Sequence, residues 1–125
     1  MTATGGRMDK KAVKALRGSI KKWERIVLGT GEDLGPQNCP LCKEYLRWFS
    51  CDGCPVYKDT GEPFCDGGPY VEWQSAFRGE LEELTGDWEM DEANKLIPIG
   101  PRSLAAAIAE YEYLCGLLDK ELAKK

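Results

Sequence analysis

The chain has 125 residues, of which 42% are hydrophobic and 30% charged, with a net charge of −4. This is typical of one globular domain and excludes a disordered or fibrous chain. The sequence contains no histidine, which excludes Ser-His and Cys-His nucleophile pairs and histidine-ligated metallohydrolases. No apolar run reaches the ~18 residues of a membrane span, and the polar N-terminus lacks the apolar stretch of a secretory signal. We therefore expect a cytoplasmic protein without membrane association.

The first element is an amphipathic helix, predicted from Asp9, the N-cap, to Leu28, with Gly29 as its stop signal. Apolar residues repeat every three or four positions on one face: Val13, Leu16, Ile20, Trp23 and Val27. The opposite face is basic: Arg7, Lys10, Lys11, Lys14, Arg17, Lys21, Lys22 and Arg25. Gly18 lies inside this helix, where it costs about 1 kcal/mol relative to alanine.

Five of the six cysteines follow this helix, between positions 39 and 65. They form two C-x-x-C pairs, Cys39–Cys42 and Cys51–Cys54, which eight residues separate, and then Cys65. A two-residue spacer lets one tight turn aim both sulfurs at one tetrahedral ion, and glycine in the second pair supplies the positive φ that such a turn often needs. We predict a metal site with four of these five ligands. The two pairs form the simplest set, and Cys65 is able to replace Cys51 or Cys54.

Zinc is the predicted metal because it prefers closed tetrahedral thiolate sites. An iron–sulfur cluster is the alternative, since Cys54-Pro55 is similar to the Cys-Pro end of ferredoxin motifs, although the C-x2-C-x2-C run is missing. Disulfides are a further alternative, which a reducing cytosol disfavours. Residues 29–69 contain few large aliphatic side chains, so metal binding, worth about 10–16 kcal/mol, would offset the entropy of ordering them. The predicted role of the metal is structural.

Helical patterns return around and after the cysteines. Residues 43–49 predict one or two helical turns between the pairs. Pro69 fits the N1 position of a second helix, which runs through Leu84 with a break near Gly79 and ends at Gly86. Strand signals are weak along the whole chain, so at most a small hairpin is expected beside the metal.

The C-terminal third begins with a predicted short helix over 87–96 and an extended segment over 97–101, because each proline disfavours helical geometry in the residue before it. A last helix then runs from an N-cap at or near Ser103 to about Ala123. Its predicted core stripe, widened by Leu114, contains Leu104, Ile108, Tyr111, Cys115, Leu118 and Leu122. This spacing makes Cys115 a buried, inert thiol.

Charge is distributed unevenly along the chain. Residues 1–28 carry eight basic and two acidic side chains, a net charge of +6, and the remaining residues carry a net charge of −10. The densest acidic segment contains Glu80, Glu82, Glu83, Asp87, Glu89, Asp91 and Glu92. A basic helix binds phosphates, or it neutralises the acidic segment of its own chain, or it is simply a solvated face. The candidate binding residues are Lys10, Lys14, Arg17, Lys21 and Arg25.

Several short segments together resemble a known group of sequences. They are Lys22-Trp23-Glu24, Gly29-Thr30-Gly31, Asn38-Cys39-Pro40-Leu41-Cys42, Cys51-Asp52-Gly53-Cys54-Pro55-Val56, and Cys65 before Pro69-Tyr70. Over about the first 75 residues, the chain is similar to small, uncharacterised cysteine-rich proteins of bacteriophages and prophages. This resemblance implies a bacterial host cytoplasm and a zinc site, and it implies no particular reaction.

The sequence therefore predicts a mainly α fold, a small helical bundle with a C-x-x-C metal knuckle and little or no β-structure. It predicts a single domain over 1–125, with a basic amphipathic helix (1–29), a cysteine-rich metal-binding segment (38–69) and a helical remainder (70–125). The predicted function is non-enzymatic: a zinc-stabilised module that binds another macromolecule, most simply a protein. The alternatives are a nucleic-acid-binding accessory factor that uses the basic helix, and an iron–sulfur redox protein.

Overall fold

The computed structural model describes residues 9–45, 53–61, 68–85 and 97–123. Its α-helices are α1 (Lys10–Val27), α2 (Pro40–Tyr45), α3 (Pro55–Thr60), α4 (Tyr70–Thr85) and α5 (Pro101–Leu122), and a 3-10 turn covers Gly35–Asn38. No strand occurs among the described residues, so the mainly α fold class is confirmed. The predicted helix over 87–96 lies outside the described residues.

Helix α1 begins and ends where the sequence predicts. The Asp9 carboxylate accepts a hydrogen bond of 2.8 Å from the backbone N–H of Ala12, which satisfies one of the free donors at the helix start. At the other end, Gly29 has a φ of +82°, a conformation that glycine adopts without steric cost. Of the predicted core face, Leu16 and Trp23 are buried. The rest of that face is half-buried, because the buried side is centred closer to Ala15 and Ile26.

Helix α5 is the central element and packs against both α1 and α4. Its buried residues are Ser103, Ala106, Ala107, Glu110, Leu114, Leu117 and Glu121. The predicted core stripe was therefore wrong: Leu104, Ile108 and Leu122 are exposed, and the middle of the stripe, including Cys115, is only half-buried. Serine and alanine on the buried side leave room for α1 and α4, beside larger buried residues such as Leu114 and Leu117.

Helix α4 continues through Gly79, so the predicted break is wrong. Packing on α5 supports the helix at this position and outweighs the low helix propensity of glycine. At its start, the Trp73 ring contacts the Trp23 ring of α1 edge to face, with 5.4 Å between centroids. Tyr70 contacts the same Trp23 ring at 5.9 Å. These rings join α1 to α4, and one hydrophobic cluster includes residues from all five helices.

The entry into α5 is fixed by a side chain of α4. The Glu80 carboxylate accepts hydrogen bonds from the backbone N–H groups of Arg102 (2.8 Å) and Ser103 (2.9 Å). Residues 97–99 precede this junction in non-helical conformation, and Gly100 is extended, as predicted. Pro101, however, belongs to the helix, so the expected N-cap at Ser103 was placed too late. Ser103 is the third helical residue, and its hydroxyl accepts from the backbone N–H of Gly100.

Among the helices described, none combines the length and the apolarity that a membrane crossing requires.

Candidate thiolate site and basic helix face

The first C-x-x-C pair forms a tight turn at the start of α2. Cys39 directly precedes the helix, and its sulfur accepts a hydrogen bond of 3.3 Å from the backbone N–H of Cys42. The Ser19 hydroxyl of α1 lies 3.9 Å from the Cys39 sulfur and accepts from the backbone N–H of Leu41. The short helix predicted over 43–49 thus begins earlier, at Pro40, inside the C-x-x-C motif.

The surroundings of Cys39 favour its ionised form. A hydrogen bond from the Cys42 side chain, the positive charge of Lys22 and a hydrogen bond from Ser19 together lower the pKa of Cys39 to about 6, against the opposing effect of burial. A thiolate is the form of cysteine that binds metal ions. Neither Cys39 nor Cys115 forms a disulfide in the described part of the chain. The first pair is therefore chemically suited to metal binding.

Two buried carboxyl groups lie near this thiol, and sequence reasoning singled out neither. Burial raises the pKa of Glu110 to about 7, and the negative charges of Cys39 and Asp33 add to the rise while Lys22 opposes it. Glu110 lies on the buried side of α5, and this residue is only 4% exposed. The signal available in the sequence was the helical spacing of Glu110 from Leu114 and Leu117. Glu110 lies outside the stripe of α5 that the sequence pattern predicts to be buried.

Asp33 is completely buried and joins three parts of the fold. One carboxylate oxygen accepts 2.8 Å from the Lys22 ammonium group of α1. The other accepts from the Tyr70 hydroxyl (2.8 Å) and the Trp73 indole N–H (3.0 Å) at the start of α4. The loop after α1 is thereby fixed beside the Cys39 turn. In the sequence Asp33 was one polar residue in a linker, without a pattern that marks it.

Cys54 of the second pair precedes Pro55 of α3 and is buried. Gly53 has a φ of +89°, which confirms the positive φ predicted there. A Cβ at this glycine would lie 3.0 Å from the Tyr45 ring, so the turn also packs closely on α2. Cys51 and Cys65 lie outside the described residues.

The described residues do not by themselves form a metal site. Among them, no three Cys, Asp or Glu side chains converge on one point that could hold an ion. Cys39 and Cys42 are adjacent, and Cys54 does not complete a group of three with them. A tetrahedral zinc site needs four ligands. The donor chemistry of the first pair fits half of such a site, and the full ligand set remains a prediction.

The five candidate binding residues of α1 form one continuous exposed row. Lys10, Lys14, Arg17, Lys21 and Arg25 are all exposed. At 100° per residue they lie within an arc of about 80°, over a length of about 22 Å. We call this set the basic stripe. Its members make no ion pair with any described residue.

The other two described bases of α1 behave differently. Lys11 pairs with Glu44 of α2 at 3.0 Å, and Lys22 pairs with Asp33 inside the fold. Within the described part of the chain, the predicted basic face thus divides into two bases with an acidic partner and five without one, and Arg7 lies outside the described residues.

Two of the three described acids of the acidic segment have partners outside the basic stripe. Glu80 holds the start of α5, and Glu83 pairs with Arg102 at 2.6 Å. Glu82 is exposed and makes no ion pair with the described residues. The acids from 87 to 92 lie outside the described residues. Within the described structure, the basic stripe is therefore not neutralised by its own acidic segment.

The sequence matches no protein-family model. Comparison with curated proteins and with solved structures also finds no significant match. The function is therefore argued from the chemistry and geometry of these two surfaces.

Proposed function

We propose that the protein is a non-enzymatic module whose basic stripe binds the phosphate backbone of a nucleic acid, on a helical body that thiolate-bound zinc stabilises. The observation that carries this proposal is the division of bases on α1. Lys11 and Lys22 have acidic partners, and the five bases of the stripe are exposed without one among the described residues. The stripe therefore contributes no ion pair to the described part of the fold.

The arrangement of the stripe lowers the stability of the helix that carries it. Lys10 and Lys14, Arg17 and Lys21, and Lys21 and Arg25 are like-charged pairs four residues apart. Each such pair destabilises a helix by about 0.2–0.5 kcal/mol. A phosphate backbone would remove this repulsion and release the counterions of both partners. A row of repelling bases on a protein with a net charge of −4 is better explained by binding than by stability.

Zinc is proposed for the stabilising role because the Cys39 turn presents a thiolate beside a second sulfur. The proposed ligands are Cys39 and Cys42 with two of Cys51, Cys54 and Cys65. When bound, the ion would link the start of α2 to the segment around α3, whose described contacts with the rest of the fold are few. Elemental analysis tests this: one zinc per chain in a colourless protein supports it, and visible absorption with stoichiometric iron and sulfide supports the iron–sulfur alternative.

The binding proposal is tested by fluorescence anisotropy with a labelled oligonucleotide over a range of salt concentrations. A triple variant, Lys14→Glu, Arg17→Glu and Lys21→Glu, should lose binding. A matched control with the same change of charge reverses three exposed bases elsewhere: Lys58, Arg78 and Lys120. With five phosphate contacts, the slope of log K against log salt should be about −3.5 to −4.5. Binding that ignores salt, or falls equally in both variants, contradicts the proposal.

A protein partner is the second candidate, and the exposed apolar side chains of α5 favour it. Leu104 and Ile108 are 38% and 37% exposed, one helical turn apart. Such neighbours are suited to contact with an apolar surface of another protein. In affinity capture from a bacterial host, a Leu104→Glu, Ile108→Glu variant should lose this partner, and the triple charge-reversal variant should keep it. The opposite pattern supports the basic stripe as the binding surface.

A further inference from the structure

A cavity of about 620 Å³ opens at the C-terminal end of α1, where the basic stripe ends. Its volume lies within the ~300–1,000 Å³ of small-ligand sites. The end of α1, the glycine turn that follows it, the loop before α2 and the segment before α5 surround it. Its lining includes Gly18, Lys21, Arg25, Thr30, Pro40 and Ile97.

The rim of this cavity belongs to the basic stripe. Lys21 and Arg25, its last two members, both line the cavity and make no ion pair with the described residues. The ammonium group of Lys22, which also lines it, is held by Asp33. Glu32 is the acidic residue of the lining. Two unpaired positive charges against one negative charge favour an anionic ligand.

The cavity lining also contains apolar groups. It includes the Pro40 ring and the Ile97 side chain, which is 45% exposed. The Pro40 ring approaches α1 closely at Gly18, where a Cβ would lie only 2.9 Å from the ring. Gly18 therefore allows the first residue of α2 to line the cavity beside α1. The cavity lining thus combines cationic and apolar groups.

The geometry points to single-stranded nucleic acid as the ligand: backbone phosphates lie along the basic stripe, and one unpaired nucleotide enters the cavity. This inference rests on the proposed nucleic-acid binding and specifies its substrate class. A nucleotide has the required polarity, because its phosphate is anionic and its base has apolar faces. In a duplex the bases are stacked and paired, so a base enters a pocket only after unstacking. A single strand presents such a base directly.

The test compares one oligonucleotide of roughly 20 nucleotides, single-stranded and as a duplex, at the same salt concentration. The wild-type protein should bind the single strand about tenfold more tightly. Ile97→Trp narrows the cavity, and Thr30→Met places a larger neutral side chain at its rim without changing the charge of the stripe. Each should reduce single-strand affinity to the level of the duplex and leave duplex affinity unchanged. Leu84→Trp, at a position 73% exposed on α4, should change neither.

Equal affinity for single strand and duplex in the wild type overturns this inference, and so does unaltered single-strand preference in both cavity variants. Either result leaves salt-dependent binding to the stripe intact, so the proposed function survives it. If the wild type binds neither form, both the proposed function and this inference fail. Circular dichroism and thermal unfolding of each variant show that it is folded before binding is compared. Two chemically different substitutions keep the test valid if one variant does not fold.

Discussion

Replacing Asp33 with alanine should lower the free energy of unfolding by about 3–5 kcal/mol, the usual effect of removing one partner of a buried ion pair. Asp33 is completely buried, and the side chain of its partner Lys22 is only 8% exposed. The substitution leaves the Lys22 ammonium group without its counterion and removes the acceptor of the Tyr70 hydroxyl and the Trp73 indole N–H. This loss is a large part of the ~5–15 kcal/mol that holds a typical domain folded.

Urea unfolding, followed by tryptophan fluorescence, measures this change. The matched control is Glu44→Ala, which breaks an exposed ion pair between α1 and α2. Its partners Lys11 and Glu44 are 63% and 31% exposed, and such pairs contribute about 0–1 kcal/mol. If Asp33→Ala and Glu44→Ala lower stability by the same small amount, the buried Asp33 carboxylate does not hold the loop after α1 to α1 and α4.

A double-mutant cycle separates the ion pair from the other contacts of Asp33. Lys22→Met and Asp33→Asn each leave one partner buried and uncompensated, so each alone should be strongly destabilising. The double variant buries no charge at this position and should be more stable than the sum of the single effects predicts, by at least about 1.5 kcal/mol. Additive effects would show that Lys22 and Asp33 do not interact in solution.

Three further changes test other parts of the structure. Removal of the proposed zinc, or Cys42→Ser, should lower stability by several kcal/mol; an unchanged melting temperature after complete chelation argues decisively against a structural site. Glu80→Gln should cost about 1–2 kcal/mol at neutral pH. Burial alone would raise the pKa of Glu80, but the hydrogen bonds from Ser103 and Arg102 outweigh it and lower the pKa. The stabilisation by ionised Glu80 is present above the ordinary carboxyl pKa and is lost as the pH falls through the lowered pKa of the folded protein. The difference in the free energy of unfolding between wild type and Glu80→Gln, measured by urea unfolding, should therefore narrow in acid. A difference that stays constant with pH is inconsistent with an ionised cap. Gly100→Ala should lower the free energy of unfolding by about 1–3 kcal/mol through overpacking, because the new Cβ would collide with the Glu80 carboxylate. A melting temperature equal to that of the wild type would contradict this and show that the carboxylate moves aside.

Local signals in the sequence were sufficient for α1. An N-cap aspartate, a regular apolar spacing and a glycine stop act within one helix, so its limits follow from neighbouring residues. The C-x-x-C spacing likewise predicted a turn that brings Cys39 and Cys42 together, and the positive φ of Gly53 followed from its place in such a turn.

The buried side of α5 could not be chosen from the pattern alone. Helix α5 has two stripes at helical spacing. Hydrophobicity by itself favours burial of the stripe with the larger aliphatic residues, such as Leu104 and Ile108. Hydrophobicity measures what a side chain gains on burial, but close helix packing also requires small residues at the contact. The stripe with Ala106, Ala107 and Glu110 is therefore the one between α1 and α4.

The sequence by itself determined the helical class, the limits of α1, the paired thiols and the row of bases along one helix. Only the tertiary structure decided which of those bases form ion pairs within the described fold, because Lys11 and Lys22 find their acids in segments distant along the chain. It also decided the surroundings of Cys39 and the cavity at the end of the stripe. Those features depend on distances between residues that are far apart in sequence, and no local pattern contains that information.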